Sequence, residues 1–204
     1  MKAKRSTLQQ LPLRFPGRGG AREGAGRPAG RRVSHHPRPK FRRLPVHTTL
    51  RVQPDVRSLR RGKMFDAVGG AISAGCLRAR FRVVHFTVLG NHLHLIVEAE
   101  DEIALARGMQ GLGVRIARAV NHALVRRGSV FADHYHAHHL RSPTEVARAI
   151  AYVLGNYLHH FPGTPVGVDF RDQCSSDVRF DLVAQPRLWL LRVGWRHARP
   201  RLEP

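Results

Sequence analysis

The stretch that most restricts the fold is "ARFRVVHFTVLGNHLHLIVEA", residues 79–99. Two β-rich runs, 79–88 and 91–99, are parted only by Leu89 and Gly90. A parallel pair would need a crossover of a dozen residues or more, so the two runs form an antiparallel hairpin. In the second run His92 and His94 are two positions apart, which on a strand puts both on one face, about 6–7 Å apart along the chain. Leu93, Leu95 and Val97 fill the opposite face. One face can pack a core while the other offers two imidazoles.

The flanking segments extend this hairpin into a domain. "LPVHTTLRV" (44–52) reads as an earlier strand. Residues 56–75 carry Leu59, Phe65, Val68 and Ile72 near helical spacing. Residues 101–128 read as a long helix with Leu105, Met109, Leu112, Ile116 and Val120 as its core stripe. Asp101 and Glu102 suit its start, Arg126 and Arg127 its end, and Gly128 its stop. "HYHAHHLRS" (134–142) reads as a fourth strand. The helix over 142–161 opens on a capping box, with Ser142 as N-cap, Pro143 at its first position and Glu145 as partner. Val146, Ile150, Val153 and Tyr157 form its apolar stripe, and Pro162-Gly163 ends it. The order β-α-β-β-α-β plus one further helix predicts an α+β, ferredoxin-like four-stranded antiparallel sheet with two helices on one face. The additional helix then lies near the open face, where His92 and His94 point.

Charge narrows the class of partner. The 204 residues hold 35 Lys and Arg against 14 acids, a formal net charge of +21, which favours a nucleic-acid partner. Residues 1–43 carry 13 of those basic residues and one acid, Glu23, in a Gly-, Arg- and Pro-rich setting. Such composition reads as a basic disordered arm adding salt-dependent affinity for phosphates. The domain then spans 44–161, and 162–204 follows as a loop and a basic amphipathic C-terminal helix. In that helix, read over 185–200, Leu188, Leu191 and Trp195 make the apolar side, which docks on the core. Cys76 and Cys174 make no disulfide framework and no paired metal motif, as expected in a reducing cytosol. No signal peptide and no run long enough to span a membrane is apparent, so the expected location is cytoplasmic.

Tyr152 and Asn156, four residues apart on the 142–161 helix, share one face. That face would meet the histidine pair across the sheet. "NHLHLIVE" resembles the HUH motif (His, bulky hydrophobic, His) of the HUH endonucleases. With "MQGL…AVNHALVRRGSVFADHYH" and a helix bearing "AYVLGN", residues 44–161 resemble the single-tyrosine transposases of insertion sequences, and within them the REP-associated tyrosine transposases.

The resemblance implies a divalent ion, Mg²⁺ or Mn²⁺, held by His92, His94 and a third polar ligand, for which Asn156 is the match. It implies Tyr152 as the nucleophile that cleaves single-stranded DNA and leaves a 5′-phosphotyrosine and a free 3′-OH. Single-stranded or hairpin DNA is the implied partner. Two subunits cooperate in the insertion-sequence relatives and need not in the REP-associated ones, so a homodimer and a monomer are both open. The chemistry is coherent without the family. A phenol ionises only near pH 10, and a divalent ion supplies the activation it lacks. Two imidazoles and an amide oxygen add no negative charge, and imidazole suits manganese better than magnesium. His136 and His138 form a second His-x-His whose small Ala137 favours a DNA contact over ligation. His47 and His85 read as ordinary sheet histidines, and His159 and His160 as facing solvent or DNA. Arg82, Arg115, Arg118, Arg126, Arg127 and Arg141 are candidates for backbone contacts. The rival reading is a catalytically silent DNA- or RNA-binding relative of the same fold, although the strands lack the paired aromatics of RNA-binding sheets. A replication initiator or relaxase would share the chemistry in a longer chain.

Overall fold

Five strands build one antiparallel sheet in the order β2-β3-β4-β1-β5. They are β1 (Val46–Arg51), β2 (Leu77–Arg78), β3 (Phe81–Val88), β4 (His92–Ala99) and β5 (His136–His139). Three main helices alternate with them: α1 (Lys63–Gly75), α2 (Glu102–Ala123) and α3 (Pro143–His160). This is a computed structural model, and it describes residues 43–163, 165–167 and 169–198. The arm read over 1–43 lies outside the described residues except for Arg43. Without the two-residue β2, the order β3-β4-β1-β5 is the ferredoxin-like arrangement expected from the sequence.

The sheet has two differently covered faces. Leu93, Leu95 and Val97 of β4 join Val46 and Leu50 of β1 in a core with Val68 and Ile72 of α1 and Leu105, Met109, Leu112 and Ile116 of α2. Ile96 lies on the other face, with Val84, Leu140, and Val146, Ala149 and Val153 of α3. A bulge in β3 makes this second cluster. Pairing with β4 passes from Val83↔Val97 to His85↔Ile96, which leaves Val84 without an opposite residue. Phe81 and Val83 face the helices α1 and α2 before the bulge, and Phe86 and Val88 do so after it. One inserted residue reverses the alternation, and Val84 is turned to meet α3.

Helix boundaries differ from the sequence reading where long-range bonds compete. The helix expected from 56 starts at Lys63. The preceding loop is tied elsewhere: Leu59 N–H donates to Gly90 O at 2.9 Å, and Gly62 adopts a φ of 39°. The helix expected to reach 128 stops at Ala123, and Arg126 pairs with Asp55 at 2.9 Å instead of completing a turn. Asp101 caps α2 by accepting from Ala104 N–H at 2.7 Å. Ser142 caps α3 as expected, but Glu145 accepts from Arg141 N–H, one residue before the cap.

The segment after α3, read as a loop without chemistry, straps the outer edge of β3. Val88 N–H donates to Cys174 O, Ser176 N–H to Phe86 O and Ala184 N–H to Val83 O, at 2.8–2.9 Å. The carboxylate of Glu98 accepts from the N–H groups of Arg187 and Leu188. Such cover removes an exposed sheet edge. The continuous amphipathic helix expected over 185–200 does not form. A single turn, α4 (Trp189–Arg192), is followed by a 3₁₀ turn over Gly194–His197, and Arg199 lies outside the described residues. The Trp189 ring folds back so closely that a Cβ on Gly194 would lie 2.7 Å from it. Leu191 nonetheless docks in the second cluster, and Trp195 packs against it. Arg82, expected at the DNA, is buried between Glu98 and the Gln185 carbonyl, which removes it from that role.

Two substitutions test these contacts. Asp172 accepts two bonds from Arg60, at 2.6 and 2.9 Å, with side chains only 2% and 17% exposed. Asp172→Ala strands the guanidinium and should cost about 3–5 kcal/mol in urea unfolding. Gly108 lets α2 approach the sheet, since a Cβ there would lie 2.2 Å from the buried Phe81 ring. Gly108→Ala, stabilising by helix propensity alone, should instead lower stability by about 1–3 kcal/mol through overpacking.

Candidate metal centre and tyrosine

β1 and β4 bring the first part of the site together. In their register Thr49 opposes His94 and Arg51 opposes His92. His47 and Thr49 share the open face, since Val46, Thr48 and Leu50 are the buried alternates. His94 Nδ1 lies 3.1 Å from both His47 Nε2 and Thr49 Oγ1. Its Nε2 is buried and has no hydrogen-bond partner among the described residues. A ring fixed through Nδ1 presents Nε2 in one direction, as second-shell contacts do for a metal-bound imidazole. His92 Nδ1 is held by Asn91 Oδ1 at 2.7 Å.

α3 supplies the rest. The Tyr152 ring centre lies 5.3 Å from that of His94 and 5.9 Å from that of His47, both edge-on. Tyr152 is 40% exposed, so its face remains open to a ligand. His160, two turns further on, stands 5.1 Å from His92 ring to ring. His92, His94 and His160 each offer a nitrogen, and the three atoms lie within 4.8 Å of one another. Asn156, midway between Tyr152 and His160 in sequence, is fully buried with neither amide atom hydrogen-bonded.

Of the residues singled out in the sequence, Tyr152, His92 and His94 are therefore brought together. Asn156 is buried on the same helix. His160, expected to face solvent or DNA, is exposed, and it also joins the histidine group. The step of four that links Tyr152 to Asn156 also links Asn156 to His160, a signal present in the sequence. His47 is a neighbour of His94 rather than an ordinary sheet histidine, and His85 is ordinary, turned toward Ser176 Oγ at 3.4 Å. His136 and His138 sit on β5 opposite Thr49 and His47. Tyr157 is tucked under the Arg60 guanidinium, 4.5 Å from its ring centre.

These residues suit a divalent ion. An orphaned imidazole nitrogen and an orphaned buried amide both need a partner, because leaving such groups unsatisfied is costly. Burial, followed by the charges of His47, His92 and His160, lowers the His94 pKa to about 3. Burial and the charges of His138 and His136 lower His47 to about 4. His92 is lowered as well, by burial and then by His160 and Arg51. Near neutral pH these three rings are neutral, the form that binds metal. A set of three imidazoles suits Mn²⁺ better than Mg²⁺, which prefers oxygen ligands and water.

The depressed values have a consequence for stability. Unfolded histidines take up protons near pH 6.5, while His94, at about 3, and His47 and the half-buried His85, both at about 4, stay neutral in the folded chain. Stability is then full above pH 6.5 and is lost as pH falls from 6.5 toward 4. Urea midpoints recorded over that range should fall steadily, and His47→Gln with His85→Gln should flatten the decline.

No known family profile matches the chain, and no curated protein does. Among solved structures, a REP-associated tyrosine transposase bound to a REP hairpin superposes with a TM-score of 0.53 at 16% identity, over 71% of this chain and 82% of that one. No helix among the described residues is long and apolar enough to cross a membrane. The chain has the fold of that tyrosine transposase.

Proposed function

We propose that this protein is a metal-dependent transposase that cuts and rejoins single-stranded DNA through a phosphotyrosine at Tyr152. The observation that carries the reading is the edge-on approach of Tyr152 to His94, which is a member of the three-histidine group and whose Nε2 has no hydrogen-bond partner among the described residues. His92, His94 and His160 would hold Mn²⁺ or Mg²⁺, with Asn156 as the oxygen donor on the same helix. When bound, the ion polarises the scissile phosphate and offsets the charge that builds on it. Tyr152 Oη attacks phosphorus, the bond to the 3′-oxygen breaks, and a 5′-phosphotyrosine and a free 3′-OH result. The covalent link keeps the phosphodiester energy, so a 3′-OH can reverse the step without ATP. His47 and Thr49 hold the His94 ring in orientation. The net charge of +21 supplies attraction to the DNA backbone. Single-stranded DNA beside a hairpin is the proposed substrate, in line with the hairpin bound to the structural neighbour.

An adduct assay tests the proposal. The protein is incubated with Mn²⁺ and labelled single strands from both flanks of its gene, then run on a denaturing gel. A covalent protein–DNA band is expected, absent in Tyr152→Phe. His94→Ala should weaken it by at least roughly 100-fold, the upper range for losing even an outer partner of a ligand. His160→Ala and Asn156→Ala compared side by side identify the third ligand. A band that survives Tyr152→Phe would reassign the nucleophile. Tight DNA binding with no band on any strand would favour the silent binding relative.

A further inference from the structure

Among the described residues, the fixed charge set against the histidine group is that of Arg51. Arg51 opposes His92 directly in the β1–β4 register and lies on the same face as His47 and Thr49. Directly opposed residues have Cβ atoms about 4.5–5.5 Å apart, so an arginine reaches past the His92 ring with ease. Arg51 is exposed and has no acidic partner among the described residues. No carboxylate contributes to the charges acting on His92 or His94; those come from Arg51 and other histidines. An arginine without a carboxylate, beside a group suited to a cation, lacks its natural counter-ion. Guanidinium binds phosphate through paired N–H donors.

We infer that Arg51 binds a phosphate of the DNA strand adjacent to the His92–His94–His160 group, and that this phosphate couples metal loading to DNA binding. The inference rests on the reading proposed above and adds a residue and a linkage to it. Alone, Arg51 repels a divalent ion from its neighbour. With a phosphate in place, that charge is neutralised and the phosphate oxygens attract the ion. Metal and strand therefore strengthen each other's binding, and by linkage they do so equally.

The test uses the full chain carrying Tyr152→Phe, so that no strand is cut, and a labelled oligothymidylate as probe. In EDTA, Arg51→Ala should reduce the salt dependence of probe binding by about 0.7 in log–log slope, the contribution of one single-strand phosphate. Arg51→Lys should largely restore it. Mn²⁺ binding is then followed by electron paramagnetic resonance with and without probe. The parent should bind Mn²⁺ roughly 5- to 150-fold more tightly with the probe present. Arg51→Ala should bind Mn²⁺ more tightly than the parent when no probe is present, and gain less when it is added. A loss of folding would not produce those opposite signs. An unchanged salt slope overturns the inference. So does a reduced slope with unchanged Mn²⁺ affinity, which would put the phosphate contact away from the histidines. If no strand ever forms a tyrosine adduct while both Arg51 effects appear, the cleavage reading fails and the Arg51 assignment stands.

Discussion

Strand β4 is buried on both faces for nearly its whole length, and that double burial fixes everything around it. Leu93, Leu95 and Val97 are fully buried against α1 and α2. Each such side chain is worth about 1.5–3 kcal/mol in the core. A register slip of one residue would turn all three outward and bring His92 and His94 into the apolar layer. The position of the imidazoles is thus held by the packing of their neighbours on the opposite face, which contribute nothing to the chemistry themselves.

A second chain of cause leads to Tyr152. The bulge in β3 rotates Val84 onto the open face, beside Ile96. Those two side chains, with Leu140, give α3 an apolar surface on which to seat Val146, Ala149 and Val153. Ser142 starts the helix at a defined residue. With Val153 seated, Tyr152 falls at the helix edge nearest His94, and His160 arrives beside His92 two turns later. Leu191, brought in by the strap, closes the same cluster from the other side. The segment that looked featureless in the sequence therefore helps hold the helix that carries the tyrosine.

What could be read from the sequence was local. β-rich composition marked β1 and β3, period-two alternation marked β4, period 3.6 marked the helices, and the caps at Asp101 and Ser142 were visible as residue types. The histidine pair and its face followed from the alternation alone. What could not be read depends on register between distant strands or on bonds from remote segments. His47 and Thr49 meet His94 only because β1 pairs with β4 at one particular offset. Arg82 looked like a surface cation until Glu98 and the Gln185 carbonyl enclosed it. The tail carries an amphipathic spacing, yet Glu98 takes the N–H groups of Arg187 and Leu188, so the helix begins only at Trp189 and not at 185. Local propensity lost each time to a tertiary bond.

Glu98 also bears on why, among the described residues, the histidine group holds no carboxylate. It is the one acid on the His92–His94 face of β4, six residues along from His92, or about 20 Å. Ile96 lies between, sealed under α3. The carboxylate is buried, with Arg82 nearby and two backbone N–H groups donating to it, so its acceptor capacity is used up at the far end of the strand. Along one face of one strand the order is imidazole, imidazole, apolar plug, satisfied acid. A carboxylate nearer the histidines would bind a cation tightly by itself and would repel a phosphate. Neutral rings beside an arginine do the reverse: they hold a cation weakly and leave room for the negative charge of a substrate to complete the site. In the reading proposed above, the polarity of this strand thus favours a centre assembled jointly by protein, ion and phosphate over one loaded in advance.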